Sequence, residues 1–350
     1  MKAEQIAHVR DLERVFVAAG AAPPRRLALF SVVDGHAGFK AAEFVVGNVA
    51  ETFWNAVFAL QEEQTLDQAD LNLHEKNDGG SGGGNGGKGA NTSEKSCAAF
   101  SEGEHGPVQE EQGGGVRGGS DVDDERVGRF IRDALKRTMT GLDRAWLNRV
   151  HGARPKINDG ACVLLCLMVD SKMHLAHVGD CRAVLYSASG KFRALTRDHK
   201  PGISKSEDRR VQKAGGEIQR GQGGAESRVC AAGTRISVTR AIGDANLKRG
   251  AVPILSPEPD TCTVDLAGKN RWTLVMASDG VWFRMGNATV SSFLRKVRGG
   301  ANTGPRAGTS HVPGNDVSPS VAELLVRDSY RRGSFDNISA IIVTETEREM

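Results

Sequence analysis

Acidic residues stand where several apolar segments of this 350-residue chain begin or end. Asp34 follows the first such segment directly, and Asp279 follows a later one after a single serine. Asp336 lies just before the last apolar segment, and Asp180 closes another. A carboxylate at the edge of an apolar strand is costly to desolvate unless positive charge meets it. We therefore expect these four carboxylates to gather around a cationic partner.

The chemistry that such a cluster supports is that of hard divalent cations. Carboxylates without cysteine or clustered histidine ligands suit Mg²⁺ or Mn²⁺ and suit zinc poorly. Two such ions can activate water and clamp a phosphoryl group, so the pattern indicates phosphate-ester hydrolysis. Gly35 lacks a Cβ atom, which lets its backbone carbonyl approach an ion closely. His36 is a candidate for protonating a leaving oxygen, because imidazole exchanges protons near neutral pH.

Each acidic position also has a purely structural interpretation. Asp-Gly is a common turn, and Asp-Asn before a strand can cap a loop. That interpretation is weakened because four acids stand at strand ends and three of them adjoin a glycine.

Composition narrows the function classes. Hydrophobic residues make up 39% of the chain, enough for a packed core, and the net charge of +3 comes without a polybasic tract. We therefore expect neither nucleic acid nor a membrane surface as a partner. Without a long apolar stretch or a secretory signal layout, the chain is predicted to be intracellular, in the cytoplasm or the nucleus. The six cysteines form no CxxC pair and are expected to be reduced.

Many of the 43 glycines fall in two tracts, at about 76–120 and 299–319. These tracts are poor in apolar residues, so we predict disordered insertions within one domain spanning 1–350. Helical periodicity on both sides of the first tract places it at the tip of a helical hairpin. Short turns between the strand-like runs indicate antiparallel hairpins and an α+β layered domain. The predicted strands cover residues 163–169, 173–178, 182–186, 272–277 and 338–343.

Ordered motifs along the chain carry a resemblance to a known family. From about residue 27 to 344, apart from the two tracts, the sequence resembles the metal-dependent serine/threonine protein phosphatases of type 2C. The motifs agree with that family in type, order and spacing. They are FSVVDGHAGFKAA, HVGDCRAVLY, LTRDHKPGISKSEDRRVQKAGGEI, ISVTRAIGDANLK, SPEPDT, MASDGVWFRMGN and SFDNISAIIV.

The resemblance implies a fold and a metal centre. The fold is a central β-sandwich flanked by helices on both faces, with two Mn²⁺ or Mg²⁺ ions bound at one end. In that arrangement Asp34 bridges the two ions and the Gly35 carbonyl ligates one of them, while Asp279 and Asp336 ligate the other. His36 matches the general acid proposed for the family.

Other positions take their expected roles from the same resemblance. Asp180 matches a ligand of a weaker third metal. The stretch 200–230 is similar to the mobile flap beside the family's active site, which would influence the choice of substrate. Thr239, Arg240 and Asp244 belong to a motif that we interpret as structural.

The sequence departs from the family upstream of the first acidic motif. There the family carries an arginine that grips the substrate phosphate, followed by a Glu-Asp pair. The best alignment places His8 at the arginine position, with Leu12 and Glu13 at the acidic pair, so Glu13 is the remaining candidate metal ligand. Two alternatives stay open: Arg10 could reach the site if the strand bulges, and Asp11 could supply the acid at another spacing.

A second departure is Phe283, which replaces an acid that ligates the third metal in the family. The chain also begins where the family's first strand is already under way, which leaves open whether Met1 is the true start. We predict a monomeric protein phosphatase that hydrolyses phosphoserine and phosphothreonine in phosphorylated proteins. The alternative is a catalytically impaired phosphatase fold that acts as a binding or regulatory module.

Overall fold

The computed structural model describes four segments of the chain, and all structural statements refer to them. They are residues 26–77, 119–222, 226–300 and 319–345. The two glycine-rich tracts fall almost wholly outside these segments. The N-terminal candidate Glu13, with its neighbours, also lies outside them. The predictions made for these residues stay predictions.

The strands and helices follow one another in a mixed order. The strands are β1 (Leu27–His36), β2 (Gly160–Val169), β3 (Lys172–Val178), β4 (Arg182–Tyr186), β5 (Phe192–Ala194), β6 (Glu217–Gln219), β7 (Arg228–Ala231), β8 (Thr234–Ile236), β9 (Ile242–Gly243), β10 (Asp260–Asp265), β11 (Thr273–Ala277) and β12 (Ala340–Thr344). The helices are α1 (Lys40–Asn77), α2 (Gly119–Val150), α3 (Lys205–Lys213), α4 (Asp279–Trp282), α5 (Asn287–Gly300) and α6 (Val321–Arg331), and a 3₁₀ turn covers Ala245–Leu247.

Two antiparallel sheets form the centre of the fold. The first has the order β1-β2-β3-β10, with β9 pairing at the end of β2, and the second has the order β12-β11-β4-β5. Side chains from the facing sides of the two sheets share one apolar core, to which Leu164 and Leu175 contribute from the first sheet and Leu185 and Leu274 from the second. Burying each such side chain contributes about 1.5–3 kcal/mol.

Helices cover the outer side of each sheet. Because successive strand residues point to opposite faces, Val163 and Leu165 face away from the inner core and pack on α1 and α2. On the other side, Val275 packs with residues of α5 and α6, among them Leu294 and Leu325. Both faces of each sheet are therefore apolar. The layers run helix, sheet, sheet, helix, which confirms the predicted α+β sandwich with helices on both faces.

Several strand boundaries differ from the prediction by one to three residues, and two of these differences lie beside the acids. The strand predicted over 338–343 begins later, at Ala340, because Ser278 rather than a strand partner engages the preceding backbone: its hydroxyl accepts the Ser339 N–H at 3.1 Å. In contrast, β1 does not end before Asp34. Its ladder continues to His36, which lies opposite Gly160.

A third, smaller antiparallel sheet, β6-β7-β8, lies within and just beyond the predicted flap. Its inward side chains, Val229 and Ile236, are buried in the core between the two main sheets. The flap stretch is therefore attached to the sandwich through apolar contacts. In the described part of the chain, no helix has an apolar stretch long enough to cross a bilayer.

One buried ion pair ties α2 to the segment after β9. Lys248 donates to Asp143 and to the Ala241 carbonyl, the latter at 2.7 Å, and both side chains of the ion pair are less than a tenth exposed. Asp143 also accepts the Gly243 N–H at 2.8 Å. Burial lowers the pKa of Lys248, and Asp143 opposes that shift.

We predict that Lys248→Met destabilises the protein by about 3–5 kcal/mol, because it leaves the Asp143 carboxylate buried without its cation. Urea unfolding followed by circular dichroism measures the loss. Arg327→Met is the matched control, since Arg327 pairs with Glu323 on the exposed face of α6 and should contribute less than about 1 kcal/mol. Equal losses in the two variants would contradict the prediction.

Candidate active site

A cavity of about 660 Å³ opens at one end of the sandwich. The four acids singled out in the sequence all line it: Asp34 from β1, Asp180 after β3, Asp279 after β11 and Asp336 before β12. Gly35 and His36 line it too. The antiparallel strands thus bring together acids that are up to about 300 positions apart in the sequence.

Asp34 and Asp279 are the two carboxyl groups in closest interaction. Burial, together with the charge of Asp279 and a hydrogen bond to it, raises the pKa of Asp34 to about 8, and Asp180 and Asp336 add to the shift. Burial and the charge of Asp180 raise the pKa of Asp279 to about 6. Without cations, the pair therefore binds a proton more readily than separate carboxylates do.

Ser278 fixes the segments that carry Asp279 and Asp336. Its hydroxyl donates to the Asn337 carbonyl at 3.1 Å and accepts the Ser339 N–H at the same distance. A Cβ atom on Gly280 would lie 2.4 Å from the Asn337 carbonyl oxygen, so the two segments approach this closely only because residue 280 is glycine. The Oδ1 atom of Asp279 is buried and has no hydrogen-bond partner among the described residues.

Asp180 already has a cationic neighbour. It is only 3% exposed, and its Oδ2 lies 3.1 Å from Nζ of Lys200, which also donates to Glu226 at 2.8 Å. Burial lowers the pKa of Lys200, but Asp180 and Glu226 outweigh burial and raise it. A third metal at Asp180 would have to compete with this lysine.

His36 contacts an acid that the sequence interpretation did not assign to the site. Its Nε2 lies 2.9 and 2.8 Å from the two carboxylate oxygens of Asp244, which also lines the cavity. Residue 160 must be glycine for this contact, since a Cβ atom there would lie 2.1 Å from Asp244 and 2.3 Å from His36. The interpretation of Asp244 as structural therefore overlooked its position beside His36. The sequence did contain a signal for this position, because the dipeptide Gly243-Asp244 repeats the dipeptide Gly179-Asp180.

Arg240, from the same motif, does have structural contacts. Its Nε donates to Glu207 of α3 at 2.6 Å, and its Nη1 donates to Asp260 of β10 at 3.0 Å. Thr239 is buried and donates its hydroxyl to the His199 carbonyl at 3.1 Å. Both residues hold the chain between the flap and the main sheet.

A second His/Asp group lies away from the cavity lining, where His177 and His199 stack and Asp260 is close by. It does not fit a metal ion. The Gly179 N–H points at Nδ1 of His199 from 3.2 Å, so the ring proton belongs on Nε2, which faces Asp260 across 3.3 Å. A metal would need a lone pair at that Nε2 atom. The neighbouring His199 holds the pKa of Asp260 below its usual range.

Phe283 and Glu13 complete the set of predicted positions. Phe283 follows α4, is 62% exposed, and has the guanidinium of Arg284 at 4.9 Å from its ring centre. It offers no oxygen ligand. Glu13 lies outside the described residues, so its role as a ligand stays a prediction.

Known proteins resemble this chain in sequence. The family model described as Protein phosphatase 2C matches residues 123–338. Probable protein phosphatase 2C 74 of Oryza sativa subsp. japonica is 32% identical over 53% of this chain and 39% of its own length. Probable protein phosphatase 2C 78 of Arabidopsis thaliana is 33% identical over 61% of this chain and 53% of its own length. The chain thus spans about half the length of such curated relatives, or less.

Solved structures share the fold. The serine-threonine phosphatase 2C from Toxoplasma gondii superposes with a TM-score of 0.59 at 18% identity, over 92% of this chain and 86% of that one. A C. elegans sex determining protein gives a TM-score of 0.57 at 21% identity, over 93% of this chain and 57% of that one. The family model covers well over half of the sequence, and on that ground the chain belongs to the protein phosphatase 2C family.

Proposed function

We propose that the protein is an Mn²⁺- or Mg²⁺-dependent phosphatase that hydrolyses phosphoserine and phosphothreonine in proteins. The observation that carries the proposal is the close interaction between the half-buried carboxyl groups of Asp34 and Asp279, with Asp180 and Asp336 beside them. Like charges held this closely in a partly buried site require either protons or bound cations. The oxygen-only donor set suits hard divalent ions.

The residues present fit such ions. Asp34, the Gly35 carbonyl, Asp279 and Asp336 would hold them, and the unpartnered Oδ1 atom of Asp279 supplies a buried acceptor. When bound, the ions would supply Lewis acidity that activates water and neutralises charge on the phosphoryl group. Glu13 remains a further candidate ligand.

His36 would return a proton to the serine or threonine oxygen as it leaves phosphorus. Asp244 accepts a hydrogen bond from Nε2 of the imidazole and so fixes the orientation of the ring. We assign the ring proton to Nε2 because an ionised carboxylate such as that of Asp244 can only accept a hydrogen bond. In the imidazolium form the other ring nitrogen, Nδ1, would carry the proton that passes to the leaving oxygen, and the ring would become neutral.

The second candidate function is a phosphatase fold that binds phosphoproteins without turnover. It is favoured by Phe283 at a ligand position and by His8 where the family has its phosphate-gripping arginine. Histidine does not replace the bidentate contact of a guanidinium. Phosphorylation-dependent binding of a protein, with no turnover at saturating Mn²⁺, would favour this alternative.

We predict that Asp34→Asn and Asp279→Asn each lower kcat/KM for a phosphothreonine peptide at least about 100-fold with Mn²⁺ present, because each removes a charged ligand. Phosphate release measures the rate. Asp328→Asn is the matched control, since Asp328 pairs with Arg332 on the exposed face of α6 and should leave the rate unchanged. Activity at the wild-type level in the two site variants would rule out the proposed mechanism.

For Asp244 we predict a loss that depends on His36. Asp244→Asn should lower kcat about 10-fold or more, and His36→Ala by about 100-fold or more. Because Asp244 acts through the ring of His36, the double variant should be no slower than His36→Ala alone. A further loss in the double variant would mean that Asp244 acts independently of the histidine.

The raised pKa values predict how pH affects the metal-free protein. The pKa of Asp34 is about 8 and that of Asp279 about 6 in the folded state, both above the ordinary value of 3.8. The folded state therefore binds more protons than the unfolded state, and its stability falls as pH rises through these values. In the presence of a chelator, we expect the unfolding free energy to drop by at least about 1 kcal/mol between pH 5 and pH 8.

Asp34→Asn should show a smaller drop over the same range, and Mn²⁺ should remove the drop in the wild type. Urea unfolding at several pH values tests both statements. An identical pH dependence in the wild type and the variant, measured with chelator, would contradict the prediction.

A further inference from the structure

The third sheet contributes residues to the lining of the cavity. Cys230 of β7 pairs with Arg235 of β8, so these two side chains share a face, as does Arg228, two residues before Cys230. The opposite face carries Val229 and Ile236, which are buried in the core. Both arginines line the cavity. The packing of the two apolar residues therefore fixes which way the arginines point.

Two of the cations that line the cavity lack an acidic partner. Arg235 is exposed, and its Nη2 donates to the neutral amide oxygen of Gln219 at 2.6 Å. Lys156, in the loop between α2 and β2, is exposed and lines the same cavity. Neither residue forms an ion pair with any of the described residues. Arg228 is 41% exposed and lies 3.7 Å from Glu226, so its charge is partly compensated.

The buried part of the cavity is acidic, whereas its exposed lining contains basic side chains as well as Asp336. Asp180 is buried, and burial is the largest cause of the raised pKa values of Asp34 and Asp279. Lys156 and Arg235, in contrast, are exposed to solvent. Both cations line the same cavity as the carboxylates. A phosphorylated residue bound at the carboxylates and their ions would therefore place its flanking polypeptide in a cavity that these cations line.

We propose that Lys156 and Arg235 bind acidic residues that flank the phosphorylated residue, and so give the site a preference for acidic phosphopeptides. This inference rests on the proposed function and adds a substrate class to it. Gln219 orients Arg235 without neutralising it, which leaves the guanidinium free for a carboxylate of the substrate. Exposed pairs of this kind are weak individually and are screened by salt.

The experiment compares three substrates in the full chain with Mn²⁺. They are p-nitrophenyl phosphate and two phosphothreonine peptides of equal length, one flanked by Asp and Glu and one flanked by Asn and Gln. The variants are Arg235→Gln, Lys156→Gln and the double substitution. Lys213→Gln is the matched control, because Lys213 is an exposed lysine at the end of α3 in the same flap and does not line the cavity.

We expect each single variant to raise KM for the acid-flanked peptide about twofold to fivefold, and the double variant to raise it further, with kcat unchanged. KM for the neutral peptide and for p-nitrophenyl phosphate should stay within about 1.5-fold, and 0.5 M NaCl should shrink the effect. An unchanged KM for the acid-flanked peptide overturns the proposal. An equal rise for all three substrates also overturns it, because the cations would then contact the phosphoryl group itself.

A direct binding measurement separates this inference from the proposed function. If the wild type turns over none of the three substrates, the proposed phosphatase activity fails. Fluorescence anisotropy of the labelled acid-flanked peptide still tests the cations in that case. Weaker binding by the double variant, with Lys213→Gln binding as the wild type does, supports the proposal. Equal affinity of the wild type and the double variant, or no binding by the wild type, overturns it.

Discussion

Repulsion among clustered carboxylates is the constraint on which the site depends. Asp34 and Asp279 are held close enough to share a hydrogen bond, and Asp180 and Asp336 add negative charge around them. Among the residues that the structure describes, Lys200 forms an ion pair with one of these acids, Asp180. The apolar layers of the sandwich supply the stability that keeps the acids together in the absence of a cation. A bound cation would turn this strained arrangement into a favourable one.

Glycines make the close approaches possible. Gly160 leaves room for the contact between His36 and Asp244, and Gly280 lets the chain after Asp279 lie against the backbone of Asn337. A side chain at residue 160 would separate His36 from Asp244. A side chain at residue 280 would push the segment after Asp279 away from the segment that carries Asp336. The positions of these acids are therefore set by backbone packing as much as by their own side chains. Substituting either glycine would disturb the site without altering any candidate ligand.

Local sequence patterns were sufficient for the layers and for the gathered acids, because each acid adjoins an apolar strand and short turns join β2, β3, β4 and β5. The contact between His36 and Asp244 was not predicted, since it depends on the register of β1 against β2 and on the short strand β9. Strand β1 also runs further than predicted, because its ladder continues past Asp34. Such long-range pairings leave no periodic signal in one sequence. The outward direction of Arg235 likewise became visible only through its pairing with Cys230.

The acids and the exposed cation Arg235 lie on different parts of the fold. The acids lie on the long strands of the sandwich or beside them, where both faces of each sheet are packed and displacement is costly. The unpaired cation Arg235 lies instead on a small sheet of short strands, held to the sandwich by the inward side chains of Val229 and Ile236. Its outward positions can change without disturbing that contact, because strand side chains alternate between faces. Under the proposed function, substitutions on the outer face of this sheet would change substrate preference while the acidic centre stays fixed.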